Sequence, residues 1–165
     1  MRRFSAQYVF TSSGPPLKRG VIAVDENSYV VSVEDTGGVL EERAHTEFYN
    51  GIIIPGLVNC HCHLELSHMR GTIRGGNGLA DFVTAIRDRR ESSMEEVIHH
   101  ARQADNEMYL SGVVACGDIC NNELTFSVKS GSRIEYVNFI EVFGIDPLKA
   151  EKRMKSASGV AAAAA

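Results

Sequence analysis

The sequence has 165 residues, a formal net charge of −4 and a pI of about 5.9. This mildly acidic balance gives no basic patch for nucleic acid or for an anionic membrane. No apolar run approaches the ~18 residues of a transmembrane helix, so no membrane partner is expected. Four cysteines without a signal-peptide pattern favour reduced thiols and a cytoplasmic location.

Residues 1–54 are predicted to form an N-terminal β-sandwich segment. Short runs of β-branched and aromatic residues alternate there with turn-forming residues, as in all-β folds. The predicted strands lie near 4–11, 20–24, 29–33 and 47–54. The second and third of these flank a polar turn and should form a hairpin. At Pro55–Gly56 we expect the chain to enter a second domain.

From residue 57 onward, predicted strands alternate with predicted helices. Strands are expected at 57–63, 113–119 and 136–143. Ser93 and Glu96 form a capping-box pattern that begins a long helix, and Asp146–Pro147 is typical of another helix start. This alternation predicts an α/β fold, the start of a (β/α)8 TIM-type barrel in residues 55–165. The barrel is incomplete in this chain, because a whole one needs about 250 residues.

Two histidines lie at the end of the first of these strands. His61 and His63 are two residues apart, so their side chains share one face of a regular strand. Asn59 would lie on the same face. Imidazole nitrogen is a good ligand for zinc, iron and nickel, so one strand can supply two ligands to one ion. The alternative for this spacing is a hydrogen-bonded polar pair at a strand end.

The stretch Pro55-Gly-Leu-Val-Asn-Cys-His-Cys-His-Leu-Glu65 resembles the first-strand signature of the metal-dependent amidohydrolase superfamily. Within it, the sequence is similar to the branch of cytosine, guanine and adenosine-type deaminases and chlorohydrolases. The continuation His63-Leu-Glu-Leu-Ser67 resembles aminodeoxyfutalosine deaminase-like members. The resemblance covers roughly the first third to half of such a protein, by domain size. We therefore interpret the chain as an N-terminal fragment of a longer protein.

The resemblance implies a hydrolase that acts on carbon–nitrogen bonds other than peptide bonds and deaminates an aminopurine-like or related heterocyclic substrate. A divalent metal, zinc first and iron second, would activate a water molecule, with His61 and His63 as ligands. The remaining ligands and the catalytic proton shuttle would lie beyond residue 165, since no histidine follows residue 100. The fragment alone is therefore expected to be inactive. The expected partner is a small-molecule substrate, and a homo-oligomer is left open.

Three further residues are candidates for substrate binding. Glu65 continues the face of the two histidines, and its alternative is a solvated loop carboxylate. His68 lies in the loop that follows, where barrel enzymes contact substrate, and its alternative is an exposed loop histidine. Glu141 lies near the end of the third strand, in a segment that resembles one near the substrate pocket of the family. Asp118, near the end of the second strand, is instead predicted to be a hydrogen-bonded carboxylate that organises loops.

Two other functions stay open on this evidence. A cyclic amide hydrolase, similar to dihydroorotase or imidazolonepropionase, would use the same pair of histidines. An inactive fragment or degenerate homologue would serve only as a scaffold. The cysteines form Cys-x-Cys and Cys-x3-Cys patterns, not the Cys-x2-Cys pairs usual in structural zinc sites. We predict that they are small buried residues under a helix layer.

Overall fold

The computed structural model describes the whole chain except residues 74, 75, 77, 145 and 165 and the side chains of residues 88 and 89. The described chain forms two compact units, Met1–Pro55 and Gly56–Ala165. Within the part described, no helix is both long and apolar enough to cross a lipid bilayer.

The first unit contains five strands: β1 (Arg2–Val9), β2 (Leu17–Lys18), β3 (Val21–Val24), β4 (Val30–Glu34) and β5 (Thr46–Ile53). Strand β1 is central. It is antiparallel to β2 and β3 and parallel to β5, while β3 is antiparallel to β4. The predicted hairpin is confirmed, and its turn is closed by Asp25, whose carboxylate accepts the N–H groups of Asn27 and Tyr29, each at 2.9 Å.

The strands of residues 1–54 form a single curled sheet, and its place in a β-sandwich stays a prediction. Because β1 pairs with three other strands, all five strands join one sheet. The pairing of β1 with β5 shifts register between Ala6 and Tyr8, and such a bulge bends a strand. Ala6 and Val9 are fully buried and Val21 nearly so. These small apolar side chains form the buried part of the sheet.

The second unit contains three parallel strands in the order β6 (Leu57–Cys62), β7 (Val113–Cys120) and β8 (Glu135–Ile140). Its helices are α1 (Leu79–Arg89), α2 (Met94–Leu110), α3 (Phe126–Ser130) and α4 (Ala150–Ala163), with 3-10 turns at Leu64–Met69 and Pro147–Lys149. The predicted alternation of strand and helix is confirmed. Strand β8 ends at Ile140, three residues earlier than expected, so Glu141 follows the strand.

Local sequence signals account for the helix ends. The Ser93 hydroxyl accepts the Glu96 N–H at 3.2 Å and begins α2, as the capping-box pattern predicts. Gly112 follows the end of α2 with φ of +90°, a left-handed conformation that suits glycine. The Asp146 carboxylate accepts the Leu148 N–H at 3.0 Å and caps the turn before α4.

The core of the second unit lies between the sheet and α2. Leu64, Ala101 and Val128 are its buried centre. Partly buried apolar residues pack against them: Cys62, Ile98, Ala104, Met108 and Tyr136. Apolar contacts with α2 therefore hold the chain where β6 passes into the 3-10 turn, directly beside the predicted metal ligands.

Candidate active site

The residues that follow the three parallel strands lie at the same end of the sheet, where the strands have their carboxyl ends. His63 follows β6, Asn121 follows β7 and Glu141 follows β8. The carboxyl ends of parallel strands are where α/β barrels carry their chemistry. The sheet order therefore brings three separate parts of the sequence to one candidate site.

His61 and His63 lie side by side, as their spacing predicts. Their ring centroids are 5.3 Å apart and the ring planes meet at 62°. His61 is exposed and His63 is half-buried. Cys62 between them packs on the core beneath α2, so by strand alternation the two imidazoles project to the opposite face of the sheet.

One nitrogen of this pair lacks a partner. His63 Nδ1 is buried and, among the described residues, makes no hydrogen bond. A buried polar atom without a partner costs about 1–3 kcal/mol, and binding of a ligand there would remove that cost. The two imidazoles thus fit two positions around one divalent ion. The described residues contain no group of three or more potential ligands, while a tetrahedral ion needs four.

Strand β6 is irregular where it carries these histidines. Its pairing with β7 shifts register between Asn59 and Cys62. A regular strand would place Asn59 on the histidine face, but Asn59 lies on the opposite face. Its Nδ2 lies 3.5 Å from Met108 Sδ on α2. Its Oδ1 accepts the His61 N–H at 3.2 Å. The bulge places Asn59 and Cys62 on the same side although they are three residues apart.

The four cysteines form no disulfide bond, and Cys116 and Cys120 are buried as predicted. Cys60 is exposed, so the prediction of a buried residue was wrong for that position. Burial raises the pKa of the Cys62, Cys116 and Cys120 thiols and so favours their protonated form.

Glu65 is buried, with 4% of its surface exposed, so it is not the solvated loop carboxylate considered as an alternative. Its Oε2 accepts the Asn121 N–H and its Oε1 accepts Asn121 Nδ2, both at 3.2 Å. Arg90 Nη2 donates to the same Oε1 at 3.3 Å. The carboxylate is therefore compensated by one guanidinium and one amide side chain.

His68 is half-buried and engaged at both ring nitrogens. Nδ1 lies 3.1 Å from the Glu65 carbonyl oxygen and Nε2 lies 3.2 Å from the Arg90 carbonyl oxygen. It is thus not an exposed loop histidine. Together with Glu65 and Arg90, it lines a cavity of about 430 Å³. His68 connects the turn after β6 to Arg90, the residue directly after α1.

Glu141 is exposed, and its Oε2 accepts Asn121 Nδ2 at 3.2 Å. It lines a second cavity, of about 270 Å³, together with Arg90, Asn121 and Arg153. Asn121 therefore links the carboxylates that follow β6 and β8. Whether Glu65, His68 and Glu141 contact substrate stays a prediction.

Two residues of this network were missed in the sequence. Asn121 is the first residue after β7, and that position was the available signal. Arg90 belongs to a run of arginines interspersed with acidic residues, a pattern typical of a solvated face. Its carboxylate partner lies 25 residues away, so no local pattern indicated the pairing.

Asp118 has the contacts expected of a carboxylate that organises loops. It is fully buried, its Oδ1 accepts the Leu64 N–H at 2.7 Å, and its Oδ2 forms an ion pair with Lys129. Because Cys120, two residues on, contacts the same lysine, Asp118 lies on the helix-covered face of the sheet, away from the face of the two histidines.

Comparison with protein-family models and with curated protein sequences gives no match. Solved structures do match. Aminofutalosine deaminase from Helicobacter pylori, in complex with methylthio-coformycin, aligns with a TM-score of 0.70 and 18% identity over 94% of this chain and 39% of its own. Guanine deaminase from Clostridium acetobutylicum, with guanine bound in its active site, aligns with a TM-score of 0.67 and 14% identity over 94% of this chain and 42% of its own.

Atrazine chlorohydrolase from Arthrobacter aurescens, complexed with zinc, gives a TM-score of 0.64 and 20% identity over 90% of this chain and 39% of its own. The chain thus spans about 40% of the length of each of these three structures. These neighbours are amidohydrolase-superfamily deaminases and chlorohydrolases, and this chain has the fold of an N-terminal portion of them, as the resemblance predicts.

Proposed function

We propose that this chain is the N-terminal part of a metal-dependent hydrolase with a (β/α)8 barrel, which deaminates an aminopurine-like or related heterocyclic substrate. The observation that carries this proposal is the paired imidazoles of His61 and His63 at the carboxyl end of β6, where His63 Nδ1 has no hydrogen-bond partner among the described residues. The fold that holds them is the one found in two deaminases of known structure.

The exposed face of the second sheet supports the barrel. Val137 and Phe139 alternate with residues that contact the helices, and they are 60% and 54% exposed on the opposite face. Gly117 belongs to the same face, because a Cβ there would lie 2.9 Å from the Phe139 ring. In a closed barrel this face becomes the interior, which is filled by side chains.

His61 and His63 would hold the metal, and the rest of its ligands would come from outside these 165 residues. When bound, a divalent ion supplies a nucleophile by lowering the pKa of a water molecule towards ~7. Zinc is the first choice because imidazole suits it and one structural neighbour is complexed with zinc; iron is the second. The general acid and base would likewise lie outside the chain.

Glu65, His68 and Glu141 would shape the substrate-binding side of the site. The buried pairing of Glu65 and the two carbonyl contacts of His68 suit residues that set the form of the loop after β6. Glu141 is exposed beside a cavity and is the one of the three best placed to contact a small molecule directly. A cytoplasmic location accords with the four free thiols.

The test of the metal site uses the full-length protein with the double substitution His61→Ala, His63→Ala. Removing two imidazole ligands should eliminate nearly all bound metal and lower deamination of an aminopurine nucleoside at least ~100-fold. Metal is measured by elemental analysis, and turnover by ammonia release. The matched control is His99→Ala, His100→Ala, two histidines on α2. That control should keep wild-type metal content and rate.

Wild-type metal content in the His61→Ala, His63→Ala protein would contradict the proposal. A panel of cyclic amides assayed beside the aminopurine nucleosides separates the deaminase from the amide-hydrolase alternative. If the protein turns over cyclic amides but not aminopurine nucleosides, the proposed metal site stands and the proposed substrate class is overturned.

A further inference from the structure

Asp118 and Lys129 form an ion pair that is almost without solvent contact. The two side chains are 1% and 4% exposed. Removing two charges from water is costly, and their mutual attraction often does no more than offset that cost. Apolar residues of similar size would serve stability about as well. Stability alone therefore does not explain the pair. The hydrogen bonds that the two side chains make to neighbouring groups explain it better.

The group that Asp118 holds is the backbone N–H of Leu64, at 2.7 Å from Oδ1. Leu64 directly follows His63 and begins the 3-10 turn Leu64–Met69. The first N–H groups of a helical turn have no partner within the turn, so a side-chain acceptor is needed there. Asp118 supplies it from the neighbouring strand and fixes the backbone immediately after a proposed metal ligand.

The irregularity of β6 makes this contact more important. The register of β6 against β7 shifts between Asn59 and Cys62, the stretch that contains His61. Strand pairing is therefore interrupted where the backbone must aim two imidazoles at one ion. The Asp118–Leu64 hydrogen bond secures the far end of this interrupted stretch.

Lys129 in turn fixes Asp118. Its Nζ donates to Asn138 Oδ1 on β8 at 2.7 Å and lies 3.2 Å from Cys120 Sγ. The rings of Phe126 and Tyr136 lie 5.1 and 5.7 Å from the ammonium group. Side chains from α3, β7 and β8 thus hold the lysine, and through it the carboxylate, in one orientation.

We propose that Asp118, oriented by Lys129, is a positioning residue that sets the direction of His63 for metal binding. This inference rests on the proposed function of His61 and His63. Asp118 is not itself a ligand, because its two oxygens face Leu64 N–H and Lys129 Nζ on the helix-covered side of the sheet.

The test compares two double variants of the full-length protein, Asp118→Leu with Lys129→Met and Asp118→Asn with Lys129→Met. Both remove the ion pair, but only asparagine keeps an oxygen that can accept the Leu64 N–H. Zinc affinity is measured on metal-free protein by competition with a chromogenic chelator. The leucine variant should bind zinc ~10–100-fold more weakly than wild type, the range typical of lost outer contacts. The asparagine variant keeps the acceptor but loses the lysine that orients it, so it should bind zinc more tightly than the leucine variant.

Thermal unfolding of the metal-free proteins shows whether both variants are folded. If leucine overfills the site and abolishes a cooperative melt, Asp118→Ala with Lys129→Met removes the same acceptor without added volume and should show the same loss of affinity. Equal zinc affinity of the folded asparagine variant and the folded leucine or alanine variant would overturn the positioning role.

The His61→Ala, His63→Ala protein separates the two claims. If it loses its metal while the Asp118 variants bind zinc equally, the proposed function stands and the positioning role is overturned. If it keeps its metal, the proposed function fails, and the positioning role fails with it.

Discussion

Two arginine–glutamate pairs of the second unit differ in how far their carboxylates are buried. Arg90 contacts Glu65, whose side chain is 3% exposed, whereas Arg70 contacts Glu107, whose side chain is 57% exposed. A surface pair gains little, because water and salt screen both charges. A buried carboxylate that loses its cation keeps the full cost of desolvation.

These surroundings predict different stabilities for two arginine variants. Arg90→Ala should lower the free energy of unfolding by about 1–3 kcal/mol, because the buried Glu65 loses the guanidinium that compensates its charge and keeps the hydrogen bonds of Asn121. Arg70→Ala, the matched control, should cost less than about 0.5 kcal/mol. Urea unfolding monitored by circular dichroism measures both. Equal losses would show that Glu65 does not depend on Arg90.

At the scale of the elements, α2 is the helix that joins the sheet, the core and the candidate site. Val97 and Ala101 face the core, and Met108 reaches Asn59 on β6. The capping-box pattern placed the start of this helix correctly, because the hydrogen bond from Glu96 N–H to Ser93 is local. The reciprocal half of that pattern is not formed: the Glu96 carboxylate contacts the Ser92 hydroxyl instead.

This difference makes neighbouring serines a matched pair for measuring the cap. Ser93→Ala removes an acceptor from the first turn of α2 and should cost about 0.5–2 kcal/mol of stability. Ser92→Ala removes only an exposed contact between side chains and should cost less than about 0.5 kcal/mol. Chemical denaturation of the two variants under the same conditions checks the contrast. A larger loss for Ser92→Ala would assign the cap to the wrong serine.

Local patterns predicted the elements better than the site. Strands β6, β7 and β8 follow from apolar runs, and the start of α2 follows from its capping-box pattern. The bulge in β6 was not predictable, because it depends on register against a strand more than 50 residues later in the sequence. The same holds for Asp118 with Lys129 and for Glu65 with Arg90, since each pairing exists only after the chain has folded.

At the scale of the whole molecule, the second sheet is unpaired at both edges and uncovered on one face, within the described residues. Strands β6 and β8 each pair on one side only within the described residues, and both carry open hydrogen-bonding edges. Parallel sheets are usually covered on both faces. Here the face opposite the helices exposes Val137 and Phe139. In the proposed barrel, further strands would pair with these edges and their side chains would fill that face.

Residues 1–165 produced alone should therefore associate. Open strand edges and an uncovered apolar face both favour pairing between copies, so we expect oligomers or precipitate and strong binding of a hydrophobic dye. Size-exclusion chromatography with light scattering measures the mass. A variant with Val137→Lys and Phe139→Glu places opposite charges on the exposed face and should reduce association, whereas Leu148→Lys, a change at a residue 94% exposed before α4, should not. A wild-type chain that runs as a monodisperse monomer and melts cooperatively would contradict the incomplete barrel, because such a molecule would have no unsatisfied edge to pair.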